Sequence, residues 1–365
     1  MKGRLEDKRV VICAGSGGVG KTTTSAALAM GLAAEGKRVA VVTIDPARRL
    51  ANALGLDELG NEPHLVDPLR LAGHGIDVRG ELWAMMLDPK RTFDELIARL
   101  APDERARDEV LGNRIYQQLS GAVAGSQEFS AVAKLYELDR SGRFDVLVLD
   151  TPPSRNALDF LDAPERLTGF FEGRALRVFL APTGLAARVM GRGTSVVSSV
   201  LKRLTGVDLL EDLSVFFRAL SGLIEGFKER AAGVKALLRD EATTFVVVTS
   251  PEREPVEEAI FFAGKLRDAG MRFGGLVVNR VHPLDGGPAE ADLSALSATL
   301  GDPSLAAKVA RTYAEERALA ERDQAAIERL CAETGERDPI VIPQLDGDVH
   351  DVDGLVAIHG HLFAD

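Results

Sequence analysis

The sequence predicts an α/β fold, a mainly parallel β-sheet sandwiched by helices, with an inserted α-helical subdomain. Three observations predict it. Short, near-continuous apolar runs recur along the chain, as strands buried on both faces require. Ala- and Leu-rich segments with helical spacing separate them, which gives the strand–helix–strand order of a parallel sheet. Between the first such strand and the first such helix lies Gly15-Ser16-Gly17-Gly18-Val19-Gly20-Lys21-Thr22. It reads G-x-x-x-x-G-K-T, the pattern of a phosphate-binding loop.

The 365 residues suffice for two ordinary domains or one large α/β domain with insertions. The element order favours one domain over 1–365, with helical insertions at about 90–140 and 157–240. Hydrophobic content of 45% suits a packed core. The net charge of −11, with no basic cluster to reverse it, argues against a nucleic-acid partner. Two cysteines, Cys13 and Cys331, make neither a disulfide framework nor a C-x-x-C metal site, which fits a reducing, cytoplasmic location. Met1 to Lys8 is charged and runs straight into the first strand, unlike a signal peptide. No run reaches the ~18 apolar residues of a membrane span, so no stable membrane insertion is expected.

In chain order, Arg9 to Ala14 reads as a buried strand and Thr23 to Glu35 as a helix stopped by Gly36. Arg38 to Asp45 is a second apolar strand, ending in a carboxylate and followed by a loop, Pro46 to Leu50. Residues 57–80 are polar and read as loop-rich. Glu81 to Asp88 is a third strand. Thr92 to Leu138 is mostly helical, interrupted at Pro102. Phe144 to Asp150 is a strand that also ends in Asp. Within 157–240, two apolar stripes have helical spacing: Val196, Val197, Val200, Leu201 and Leu204, then Leu213, Phe216, Phe217, Leu220, Leu223, Ile224 and Phe227. Arg174 to Ala181 is readable as strand or helix. The sheet pattern resumes with strands at Thr244–Thr249, Phe273–Arg280 and Pro339–Pro343, separated by helices over Val256–Asp268 and Ser294–Glu333.

The chemistry follows from this placement. Glycines let backbone wrap closely around phosphates, and the helix N-terminus adds the positive end of its dipole. Lys21 is placed to reach the β- and γ-phosphates of a nucleotide, and the Thr22 hydroxyl to take one Mg²⁺ position. In open parallel sheets ligands sit at the carboxyl ends of strands, which brings Asp45 beside the loop. Asp150 ends an apolar strand in the Walker-B pattern, whose carboxylate holds Mg²⁺ or its waters.

These residues carry a family resemblance. Gly17-Gly18-Val19-Gly20-Lys21-Thr22-Thr23 resembles the deviant phosphate loop shared by partition, septum-site and arsenite or tail-anchored-protein ATPases. Asp45-Pro46-Ala47 resembles the first switch of the arsenite-efflux and guided-entry ATPases, and Asp150-Thr151-Pro152-Pro153 their second. Pro251-Glu252 and Val277-Val278-Asn279-Arg280 resemble two further nucleotide-contacting segments. The resemblance implies an ATPase that is a dimeric chaperone or targeting factor, with the helical insertion as its site for hydrophobic protein clients. It implies ATP and Mg²⁺ as cofactors, with Lys21 and Asp45 catalytic and Thr22 and Asp150 at the metal. Asp45 would position the attacking water. Asn279 and the stretch after Pro343 would line the adenine pocket, and Glu252 would meet nucleotide near the dimer interface.

The pattern also breaks. The deviant loop carries a second lysine where this chain has Ser16. Charge supplied to a phosphoryl transition state is worth on the order of 10³- to 10⁵-fold for an arginine finger. Arg48 or Arg49 could replace it, Arg155 could, or a related subunit in a heterodimer could supply it; otherwise hydrolysis is slow. The C-x-x-C zinc clamp of the eukaryotic guided-entry proteins is absent, and two cysteines cannot form a three-thiol metalloid site. Alternatives are a weakly active or pseudo-ATPase subunit and a septum-site or partition-type positioning ATPase. The short tail from Val352 to Asp365, acidic at its end, disfavours the latter. Nitrogenase-reductase-like redox chemistry lacks its cluster cysteines.

Overall fold

The computed structural model describes residues 1–45, 47–119, 126–151, 221–284, 292–345, 347, 349 and 351–364. The first half of these runs α1 (Lys2–Leu5), β1 (Val10–Ala14), α2 (Lys21–Ala34), β2 (Arg38–Thr43), α3 (Arg49–Ala53), β3 (His64–Leu65), α4 (Pro68–Ala72) and β4 (Glu81–Met86). Four helices follow: α5 (Pro89–Leu100), α6 (Glu104–Leu111), α7 (Arg114–Leu119) and α8 (Ser126–Ser141). Then come β5 (Val146–Asp150), α9 (Ile224–Arg239), β6 (Thr243–Thr249), α10 (Arg253–Asp268) and β7 (Phe273–Val281). The chain closes with α11 (Leu293–Leu300), α12 (Pro303–Thr334), β8 (Ile340–Pro343) and α13 (Val352–Leu362).

The eight strands form one sheet in the order β3-β4-β2-β5-β1-β6-β7-β8. Every pairing is parallel except β3 with β4. The alternation of side chains along a strand divides the apolar residues between two cores. On β1, Val11 and Cys13 join one, while Val10, Ile12 and Ala14 join the other. The first core is capped by α2 and α13, with Leu28, Leu32, Leu355 and Ile358 buried in it. The second is covered by α8, α9, α10 and α12 through residues such as Leu135, Val234, Phe262 and Leu330. Both faces of the sheet are therefore covered, which is why its strands read as continuous apolar runs. With a phosphate-binding loop after its central strand, this is the architecture of a P-loop NTPase.

A third, smaller core joins the helices inserted between β4 and β6. Phe93 of α5 stacks on Tyr116 of α7 and on Phe227 of α9, with Val110, Phe129 and Leu223 buried around them. Two residues of the second apolar stripe, Leu223 and Phe227, are thus buried in the domain itself. The rest of that stripe up to Leu220, the stripe at Val196–Leu204, the segment Arg174–Ala181 and Arg155 lie outside the described residues.

The structure refines three sequence expectations. Residues 57–80 hold the antiparallel edge strand β3 and the short helix α4, the latter capped by the Asp67 carboxylate and started by Pro68. The helical stretch 294–333 is two helices, divided where Gly301 takes a left-handed φ of 66° and Asp302 caps the next helix ahead of Pro303. The tail after Val352 is the core helix α13, whose last carbonyl, that of Leu362, accepts from the Met1 ammonium at 2.8 Å.

Candidate functional site

The carboxyl ends of β1, β5 and β2 lie side by side. Register pairs Asp150 with Cys13 on one side and with Thr43 on the other. Chain continuity then places the loop 15–20, Asp45 and Asp150 at one edge of the sheet. The loop fits there because of two glycines. Gly15 has φ 153°, and a Cβ on it would fall 1.9 Å from the Val248 carbonyl oxygen. Gly20 has φ 95°, and a Cβ there would fall 2.3 Å from Asn279 Nδ2. Neither position accepts a side chain without rearrangement. Gly20 is the N-cap of α2, whose first-turn N–H groups and dipole face the loop.

Lys21 is only 6% exposed, and its ammonium donates to the Ser16 carbonyl at 2.7 Å. Burial pulls its pKa below the usual lysine value, against the opposing fields of Asp150 and Asp45. Thr22 Oγ1 donates to Asp150 Oδ2 at 2.7 Å, and Thr43 Oγ1 donates to the same oxygen at 2.8 Å. Asp150 is 1% exposed, and burial pushes its pKa up to about 6 despite those two hydroxyls and Lys21. Its other oxygen, Oδ1, is buried with no hydrogen-bond partner among the described residues. An orphaned carboxylate oxygen beside a threonine hydroxyl is a hard, oxygen-only donor set, which suits Mg²⁺ better than a softer metal. The described residues contain no cluster of three His, Cys, Asp or Glu fit to hold a metal by themselves. A cation that keeps its waters and takes substrate oxygens needs no such cage.

Asp45 is held from two directions. Its N–H donates to Thr43 Oγ1 at 3.1 Å, and its Oδ1 accepts the Ala47 N–H at 2.9 Å. Its Oδ2 lies 3.4 Å from Arg49 Nη1. Thr151, the residue after Asp150, donates from its hydroxyl to the Cys13 carbonyl at 2.8 Å and so ties β5 to the foot of the loop.

A cavity of about 310 Å³ opens over these groups. Gly18, Gly20, Lys21, Thr22, Thr23, Asp45 and Arg49 line one part, and Asn279, Arg280, Pro343, Gln344 and Leu345 another. Asn279 is buried on β7; its Nδ2 donates to the Val19 carbonyl at 2.9 Å, and its Oδ1 accepts the Arg280 N–H at 3.0 Å. It thereby fastens β7 to the loop besides lining the cavity. Of the residues singled out in the sequence, Gly18, Gly20, Lys21, Thr22, Thr23, Asp45, Asn279 and Pro343 line this space. Gly17 is exposed in the loop and Val19 is buried beneath it. Asp150 stands behind Thr22. Glu252 is exposed at the start of α10 and is not brought into the cavity.

Thr43 escaped the sequence reading, although its hydroxyl donates to the Asp150 carboxylate and accepts the Asp45 backbone N–H. The signal was a threonine at the end of an apolar strand, two residues ahead of Asp45. Its partner Asp150 lies 107 positions away, so only the strand order reveals the pairing. Cys13 is fully buried, and its thiol is pushed up to about 12, which leaves it an apolar core residue.

The family model described as anion-transporting ATPase matches residues 8–290. The chain is 29% identical to ATPase get3 of Aspergillus terreus over 283 residues, covering 76% of this chain and 75% of the relative. It is 30% identical to ATPase GET3 of Ajellomyces dermatitidis over 248 residues, covering 67% and 64%. It is 27% identical to ATPase ARSA1 of Chlamydomonas reinhardtii over 294 residues, 75% of this chain but 35% of that protein. The chain thus spans from a third to three quarters of the length of these relatives.

Proposed function

The chain belongs to the anion-transporting ATPase family, and on that premise we propose that it binds ATP with Mg²⁺ and hydrolyses it as a conformational switch. One observation carries the proposal: Lys21, Thr22, Asp45 and Asp150 meet at one sheet edge, with Asp150 Oδ2 shared by the hydroxyls of Thr22 and Thr43. In this reading the loop amides and the start of α2 bind the phosphates, and Lys21 turns from the Ser16 carbonyl to the β- and γ-phosphates. Thr22 and Asp150 would hold Mg²⁺, which neutralises charge on the phosphate oxygens when bound. Asp45 orients the attacking water, its backbone fixed by Thr43. Asn279, Pro343 and the stretch that follows border the base. Glu252, exposed outside the cavity, would meet nucleotide only where a second subunit closes over the site.

Similarity to get3- and ARSA1-named ATPases supports a dimeric chaperone or targeting factor, as a homodimer or with a related subunit. The inserted helices would offer a surface to a hydrophobic client. Leu223 and Phe227 are already buried in the domain, so client contacts would come from the rest of the insertion. No described helix is long and apolar enough to cross a membrane.

Steady-state Mg-ATP hydrolysis by the purified chain tests the proposal. Activity above background that Lys21→Ala and Asp45→Asn both abolish is the expected result. Activity indifferent to both changes would place the chemistry elsewhere. Light scattering with Mg-ATP should report a doubled mass, and a hydrophobic helical peptide that fails to bind would count against the client surface.

A further inference from the structure

Ser16 poses the question of which cation, beside Lys21, meets the terminal phosphate. The described structure separates the two neighbouring arginines. Arg48, which has a left-handed φ of 55°, is the N-cap of α3; its guanidinium lies 3.4 Å from Glu58, and it lines a smaller neighbouring cavity with Thr43, Asp45 and Glu58, not the one over Lys21 and Thr22. Arg49 lines the cavity with Lys21, Thr22 and Asn52, and its Nη1 lies 3.4 Å from Asp45 Oδ2. The guanidinium therefore already faces the carboxylate that, in the reading above, orients the attacking water.

We propose that Arg49 is a catalytic residue that supplies, from within the same chain, the γ-phosphate cation missing at Ser16. The proposal rests on the ATPase reading of this site and extends it. Three features support the role. First, the backbone of Arg49 is anchored, because the next residues, Leu50 and Ala51, are buried in the core. Second, the two partners differ in freedom: the Arg49 side chain is 62% exposed and that of Asp45 only 11%. With its arginine mostly in solvent and a closest approach of 3.4 Å, this pair holds weakly. A terminal phosphate offers a guanidinium more charge and a two-point match, so it competes well for Arg49. Third, Asp45 keeps its bonds to Ala47 and Thr43 when the arginine leaves. Its freed oxygen can then accept from water.

In the step so assisted, the water oxygen bonds to the γ-phosphorus. The bond from that phosphorus to the β–γ bridging oxygen breaks, and its electron pair stays on ADP. ATP and water become ADP and hydrogen phosphate, and one proton leaves through Asp45 to solvent. Arg49 stabilises charge on the equatorial oxygens throughout.

The test compares wild type, Arg49→Ala, Arg49→Lys and Arg48→Ala for kcat, KM and separate equilibrium affinities for ATP and ADP, after circular dichroism shows each is folded. Arg49→Ala should lower kcat by about 10²- to 10³-fold, near the lower range of arginine fingers. It should also weaken ATP by about tenfold while leaving ADP unchanged, because only ATP carries the phosphate it meets. Arg49→Lys should keep part of the ATP preference and little of the rate, since a point charge lacks the two-point match. Arg48→Ala should match wild type. Wild-type kcat in Arg49→Ala overturns the proposal and leaves the ATPase reading standing. ATP binding without turnover in wild type also overturns it, because the chain's own arginine would then not suffice. No binding of ATP by wild type overturns both.

Discussion

Asp150 shows how a site residue can cost stability. A carboxylate enclosed by β1, β2 and β5 loses its water, and two threonine hydroxyls satisfy only one of its oxygens. Its pKa of about 6 against an ordinary 3.8 corresponds to about 3 kcal/mol. The sign follows from proton counting. Between pH 4 and 6 the native state holds a proton that the unfolded state has released. Stability from this group is therefore full only well below pH 3.8, falls as pH rises to about 6, and is absent above that. In denaturant unfolding without nucleotide or metal, the stability of wild type relative to Asp150→Asn should drop by about 2 kcal/mol from pH 4 to 7. A pH-independent difference would contradict this. The meeting of Lys21, Thr22, Asp45 and Asp150 at one sheet edge was legible in the sequence because motif and strand end fix their places. Thr43 was not, since its role depends on register between strands distant in sequence.

At the scale of elements, the helix that presents the phosphate loop is held from behind. Helix α13 buries Val352, Leu355, Ile358 and Leu362 against α2 and the sheet. The two helices approach closely at Gly31, where a Cβ would fall 2.2 Å from the Phe363 ring. Leu355→Ala should cost about 2–5 kcal/mol, the range for a buried leucine. Chemical denaturation measures it, and a loss under 1 kcal/mol would mean that α13 is not part of the core. The strong strands were read correctly as buried because both their faces are covered. Strand β3 was missed because two residues carry no alternation to read, and its pairing with β4 exists only in the folded sheet. The end of the stripe at Leu223 and Phe227 illustrates the converse. Helical spacing identifies an apolar face, and only the structure shows that Phe93 and Tyr116 cover this part of it.

The whole molecule places its chemistry at the carboxyl edge of one continuous sheet. Strands β1, β2 and β5 bring the loop and two carboxylates, while β7 and β8 bring Asn279 and Pro343. Of the inserted helices, α8 and α9 take part in the third core and also pack on the sheet through the second. The second and third cores are thus continuous through these two helices. The family was legible because its motifs are local in sequence and keep their order. Which of Arg48 and Arg49 lines the cavity over Lys21 was not, because it depends on where each guanidinium points.

Calorimetric titration of Mg-ATP into the purified chain and its Lys21→Ala variant tests the nucleotide site most directly. One saturable site per wild-type chain, lost in Lys21→Ala, is the expected result. No binding by wild type, or equal binding by the variant, would contradict the assignment of the cavity above residues 15–22 to nucleotide.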